Sequence, residues 1–153
     1  MYIEQDIVRQ VTKFLEQSDI YYQIAYKKKY AGLTRTEIHC LMNIFELENP
    51  NVTNIAAAMR MTRGGITKLS SKLVEKQYIE KFKKKDNKKE VHFKLTATGR
   101  ELYDIHKLSH DRAIEEHAEK LKCFSEKEQD TISAFLAKYT DFLVQSMNEI
   151  EGK

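Results

Sequence analysis

Between Thr62 and Lys89 the chain concentrates hydrogen-bond donors and cations at spacings that suit a polyanion. Thr62, Arg63, Gly64, Thr67, Lys68, Ser71 and Lys72 recur at steps of three and four and so share one face of a helix. Arginine and lysine can hold phosphate oxygens or the O6/N7 edge of guanine, and threonine and serine hydroxyls can reach either. Gly64, beside Gly65, is a poor helix former. Its use in a first helical turn is to let the helix end approach a sugar–phosphate backbone with no side chain between. A second set follows: Lys83, Lys84, Lys85, Lys88 and Lys89, with Lys81 just ahead. Lysine is a mobile point charge, better at meeting phosphates than at reading bases. Each of these positions could be an ordinary solvated one; the argument lies in their concentration. From Arg60 to Arg100 there are thirteen Lys and Arg against four acids, while the whole 153-residue chain carries a net charge of only +3. A basic segment in an otherwise acidic chain is the footprint of a localised polyanion-binding surface.

His106 and His110 offer a different chemistry. Four residues apart on a helix, both rings face the same way, a common beginning of a divalent-metal site such as zinc. The alternative is a pair of histidines that only make hydrogen bonds at an interface. Catalysis finds no support: there is no Gly-rich phosphate loop, nucleophile elbow or His-Glu-x-x-His, and the adjacent Glu115 and Glu116 diverge on a helix. No enzyme is expected. Cys40 and Cys123 form no metal or disulfide framework. The N-terminal residues lack the order of a signal peptide, and no apolar run approaches a membrane span. A cytoplasmic protein with reduced thiols and no membrane partner is expected.

The elements that must position these residues are largely helical, since one proline and five glycines interrupt the chain. Ile3, Ile7, Val11 and Phe14 mark a first helix whose face continues to Tyr21, Tyr22 and Ile24. Thr34-Arg35-Thr36-Glu37 is a capping box opening a second helix, which Asn49-Pro50-Asn51 ends. A short helix over Val52–Met59, with Thr53 as its cap, leads through Arg60-Met61-Thr62 to a helix from Arg63 to Gln77 capped by Thr62. Two helices joined by so short a turn form a helix-turn-helix. Tyr78, Ile79 and Phe82, then Val91, Phe93 and Leu95, alternate as two strands around the lysines, which makes that hairpin a wing. Two long helices close the chain, from Ala97 to Leu121 and after the capping box Ser125-Glu126-Lys127-Glu128. The fold class is therefore mainly α with a small β wing: a winged helix-turn-helix in one domain of residues 1–153. Within it, 34–96 form the DNA-binding part, and 1–30 and 100–153 the dimerisation helices. The apolar stripe of the last helix (Ile132, Phe135, Leu136, Tyr139, Phe142, Leu143, Met147) has too little core of its own to cover it. A homodimer interface is expected there, the alternative being packing on the winged part. The helix would supply sequence preference and the wing affinity. If each subunit neutralises about three to five phosphates, affinity falls steeply with salt.

In order and spacing the chain resembles the multiple antibiotic resistance regulator (MarR) family over nearly its whole length. The resemblance rests on Leu33-Thr34, Val52-Thr53-Asn54-Ile55-Ala56, Met61-Thr62-Arg63-Gly64-Gly65-Ile66-Thr67, Leu73 to Ile79, and Leu95-Thr96-Ala97-Thr98-Gly99-Arg100. It implies a dimeric transcriptional regulator on palindromic operators, usually a repressor, responsive to a small-molecule or metal effector. One departure concerns the wing. Where the family has an Asp-x-Arg whose arginine enters the minor groove, this chain reads Asp86-Asn87-Lys88-Lys89, and lysine lacks the planar guanidinium.

The family's zinc-sensing branch is matched in part. Its histidine on the second helix and its His-x-x-x-His on the fifth fall by spacing on His39, His106 and His110. Its glutamate on the first helix falls on Tyr21, with Glu16, Gln17 and Asp19 nearby, and its second site has no counterpart, Ile38 standing at the helix-two acid. Zinc, an organic ligand, or histidines without any ligand all stay open. Tyr21, Tyr22, Tyr26 and Tyr30 could line a cleft for phenolic compounds or belong to the core. Cys40 could act as a thiol switch, though buried thiols are usually inert. The other reading of the chain is a helical interaction protein that does not bind DNA.

Overall fold

The computed structural model describes residues 2–30 and 32–152. The elements run α1 (Ile3–Lys29), α2 (Arg35–Glu46), α3 (Val52–Met59), α4 (Arg63–Glu75), β1 (Ile79–Phe82), β2 (His92–Leu95), α5 (Ala97–Leu121) and α6 (Glu126–Glu151). This is the mainly helical, winged architecture expected. Two compact units make it up, residues 1–107 and 108–153.

The helix starts follow from local chemistry. Thr34 accepts from the Glu37 amide at 3.2 Å while the Glu37 carboxylate accepts the Thr34 N–H at 2.7 Å, completing the capping box. Thr62 caps α4 by accepting from Gly65 N at 3.1 Å, and Ser125 and Glu128 form a second box at α6. The cap of α3 is Asn51, not the expected Thr53. Asn51 is the extended residue before the first turn and its Oδ1 accepts from Asn54 N at 2.7 Å, whereas Thr53 already lies inside the helix. α4 stops at Glu75, short of the expected Gln77. Gln77 adopts a left-handed φ of 62°, and the Tyr78 N–H turns back to the Leu73 carbonyl at 3.0 Å.

β1 and β2 pair antiparallel with Ile79 opposite Leu95 and Phe82 opposite His92. Tyr78 and Val91, expected as strand residues, lie just outside. The Tyr78 carbonyl accepts instead from the Thr96 amide at 3.1 Å, joining the end of the sheet to the start of α5.

In the first unit one core gathers Leu33, Ile38, Leu41, Ile55, Ile66, Leu73, Ile79, Phe93 and Tyr103, all buried. Burying each such aliphatic side chain stabilises by about 1.5–3 kcal/mol. Ile66 and Leu73 face inward as expected, with Leu69 and Val74 packed partly against them. Of the alanine run only Ala56 is buried. α1 has no buried residue of its own, and Ile3, Ile7, Val8, Phe14 and Leu15 are exposed on it. In the second unit Phe135 stacks on Tyr139 at 5.6 Å, while Leu136, Phe142 and Leu143 remain open to solvent. Among the described residues no helix is long and apolar enough to cross a membrane.

Candidate nucleic-acid interface

α4 turns one face to the core and the other outward. Ile66, Ser70 and Leu73 are buried, while Thr62, Arg63, Gly64, Thr67, Lys68, Ser71 and Lys72 are exposed. The helix-turn-helix connection is held by Arg60, whose left-handed φ of 50° reverses the chain at the end of α3. The neighbouring glycines differ in their surroundings. A Cβ on Gly65 would stand 3.2 Å from the Thr62 hydroxyl that caps the helix, whereas one on Gly64 would meet nothing within 4 Å. Gly64 therefore leaves a bare patch of backbone on the outer surface at the helix N-terminus, where amides and the helix dipole favour an anion.

Lys72 is more constrained than its neighbours. Its ammonium lies 2.9 Å from Glu37 Oε1, and Lys76 reaches the same oxygen at 3.1 Å. Burial would by itself raise the Glu37 pKa. The Thr34 N–H and then the two lysine ammoniums outweigh it and hold the carboxyl at about 2. The capping box marked Glu37 as a helix-start residue, but nothing in local spacing signalled its role beneath α4.

The wing presents Lys81, Lys83, Lys85, Lys88 and Lys89 to solvent, while Lys84 is half-buried and donates to Asn49 Oδ1. Its tip is organised by a residue not singled out from sequence. Asn87 Oδ1 accepts from the amides of Lys89 and Glu90, both at 3.2 Å, and Asn87 Nδ2 donates to Glu90 Oε2 at 3.1 Å. Glu90 Oε1 in turn accepts from Asn51 Nδ2 at 2.7 Å, tying the tip to the cap of α3. At the wing base the Phe93 N–H donates to the Pro50 carbonyl at 2.9 Å, and buried His92 packs against Phe82. The lysines thus ride on a backbone fixed to the same elements that carry α4.

His39 and His106 come together, their ring centroids 6.0 Å apart. The Tyr26 hydroxyl lies 2.9 Å from His106 Nε2. His110 follows on α5 within the second unit. Among the described residues no group of three or more His, Cys, Asp or Glu side chains could hold a metal ion. Tyr21, Tyr22, Tyr26 and Tyr30 form a ladder with centroids 5.1–6.1 Å apart, edge-to-face in the first two pairs and tilted between Tyr26 and Tyr30. They do not line the neighbouring cavity. That cavity, about 760 Å³, is bordered by polar residues such as Asp19, Gln23, Arg35 and His39 and by Met59 and Met61. Cys40 is buried, and burial pushes its thiol up to about 12, which disfavours the reactive thiolate.

The MarR family model matches residues 33–91, from the residue before the α2 cap through the wing. The chain is 36% identical over 108 residues to the HTH-type transcriptional regulator PchR of Bacillus subtilis, 71% of this chain and 64% of PchR. It is 33% identical over 120 residues to the HTH-type transcriptional regulator YhjH of the same organism, 78% of this chain and 69% of YhjH. The chain belongs to the MarR family. This is a family of transcriptional regulators and not of enzymes. The match spans under two thirds of PchR, covering 64% of that protein's length. Its fold is that of FabT from Streptococcus pneumoniae, solved in complex with DNA. The TM-score is 0.80 at 21% identity, with 93% of this chain and 98% of that one covered.

Proposed function

We propose that this MarR-family chain is a sequence-specific transcriptional regulator that binds double-stranded DNA as a homodimer. In this reading residues 1–153 act as one domain, 34–96 contacting DNA and 1–30 with 100–153 forming the dimer. The exposed face of α4 carries the argument. Arg63, Thr67, Lys68 and Ser71 point outward around the bare backbone of Gly64, with Lys83, Lys85, Lys88 and Lys89 alongside on a wing anchored to the same unit. α4 would lie in the major groove and read base edges, while the wing lysines meet phosphates. The complex of FabT with DNA, built on the same fold, supports this. The exposed apolar residues of α1 and of α6 suit burial against a second copy, and a twofold dimer would fit a palindromic operator. Repression in the cytoplasm, relieved or imposed by an effector, completes the reading.

The test is a titration of labelled duplex from the chain's own upstream region at several salt concentrations. Sequence preference and an affinity that falls steeply with salt are expected. Weak binding that ignores salt would favour a helical interaction protein instead.

A second reading, a zinc-dependent regulator, is favoured by the approach of His39 to His106 across two elements. Two imidazoles suit a borderline metal such as zinc. His39 and His106 would contribute to holding it, and bound metal would supply a rigid link between α2 and α5. The Tyr26 hydroxyl now at His106 Nε2 would have to yield. Chelator-stripped protein titrated with zinc against an indicator should bind near one equivalent per subunit, and His106→Ala should abolish that binding. If His106→Ala leaves zinc affinity unchanged, these histidines are not the site.

A further inference from the structure

Beneath the outward face of α4 lies one buried carboxylate with two cations on a single oxygen. The Glu37 side chain is 2% exposed, and its Oε1 receives Lys72 at 2.9 Å and Lys76 at 3.1 Å. Its Oε2 accepts the Thr34 N–H at 2.7 Å. Lys72 sits on the exposed face of α4 with 54% of its side chain open, Lys76 at the helix end with 35%. A buried carboxylate stripped of all its cations bears its desolvation cost uncompensated, which holds a lone lysine partner in place. With two lysines present, one can leave without stranding the charge. Lys72, the more exposed of the pair and in line with Lys68 and Ser71, is the one placed to go.

We infer that Glu37 and Lys76 position Lys72 as an exchangeable phosphate contact: on DNA, Lys72 passes from the carboxylate to a backbone phosphate while Lys76 stays behind. This rests on the DNA-binding reading above. Glu37 is a positioning residue, and Lys76 contributes to affinity without touching DNA. Without Lys76, Lys72 becomes the last ammonium on a buried carboxylate and is retained there. A lysine away from the DNA is thereby needed for a phosphate contact it does not make. Neutralising Glu37 releases Lys72 again.

The experiment measures affinity for one fixed duplex over about 50 to 200 mM salt, using wild type, Lys72→Met, Lys76→Met and the double variant Glu37→Gln/Lys76→Met. Lys72→Met and Lys76→Met should each lower the log–log salt slope by about one per DNA-bound subunit. The double variant should return the slope to the wild-type value. A purely structural Glu37 predicts the opposite, with damage added to damage. A double variant that keeps the low slope, or a Lys76→Met protein with the wild-type slope, overturns the inference. Should the Glu37 variant fail to fold, amine acylation of wild-type protein decides the matter. Duplex should protect Lys72 and leave the rate at Lys76 unchanged; protection at Lys76 overturns the inference. A wild-type titration that ignores salt is a different failure, removing the DNA-binding reading and this inference with it.

Discussion

Gly99, in the first turn of α5, lies directly against the carbonyl of Tyr78: a Cβ at position 99 would stand 2.0 Å from that oxygen and 3.0 Å from its carbon. The obstacle is backbone, and that backbone is held in place by the Thr96 amide and hydroxyl, both 3.1 Å from the same carbonyl. Gly99→Ala must therefore push α5 away from the end of α4. The expected cost is about 1–3 kcal/mol, the range of overpacking in a closed core. A thermal melt followed by circular dichroism should show a Tm lowered by several degrees; an unchanged Tm would mean that α5 has freedom the packing denies it.

Gly64 is the opposite case. It has room for a Cβ, so Gly64→Ala should keep or raise stability, by at most about 0.5–1 kcal/mol of helix propensity. DNA affinity should nevertheless fall, because a methyl group then stands where the phosphate backbone approaches. The same melt and the duplex titration check both halves. Unchanged affinity would place the DNA elsewhere than at the N-terminus of α4.

Glu37 predicts an acid sensitivity. Its folded carboxyl titrates at about 2, below the ordinary 4.5, so the unfolded chain takes up its proton first as pH falls. The stabilisation is complete above about pH 5 and is lost progressively as pH drops through 4.5 toward 2, on the order of 3 kcal/mol in all. Chemical denaturation of wild type and Glu37→Gln over that range should give curves that converge as the acid limit is neared. Parallel curves would mean that the carboxylate gains nothing from Lys72, Lys76 and the Thr34 N–H.

Asn87 should control the wing tip. Removing its amide frees the Lys89 and Glu90 amides and one Glu90 oxygen together. Asn87→Ala should speed tryptic cleavage at Lys88 and Lys89 and lower DNA affinity several-fold, with a stability loss of about 1 kcal/mol. Cleavage at the wild-type rate would show that Asn51 and Glu90 hold the tip without it.

Much of this molecule was legible because its signals are local. A hydroxyl three residues ahead of a free amide makes a cap wherever it occurs, so Thr34, Thr62 and Ser125 marked their helices. Apolar spacing at three and four residues separated the inward Ile66 and Leu73 from the outward Thr67, Lys68 and Ser71. The misses are of one kind. Thr53 and Asn51 are both suitable cap types, and only the backbone angles say which precedes the first turn. Gln77 fits the helical period of α4, and its left-handed φ depends on the return of Tyr78 to Leu73. For the four tyrosines spacing left cleft and core open, and packing decided: Tyr30 is in the core with Tyr26 against it, while a neighbouring cavity is bordered by Asp19, Gln23, Arg35 and His39.

The helices and strands, their winged order and the face of α4 that meets solvent follow from residue type and short-range period. The partners of each candidate residue come from packing. Glu37 and Lys76, Asn51 and Glu90, and Gly99 and Tyr78 are far apart along the chain, and their contacts arise when α2, α4, the wing and α5 pack. The energy of a buried charge, a fixed tip or a close approach depends on what surrounds the atoms, and that is set by packing and not by spacing.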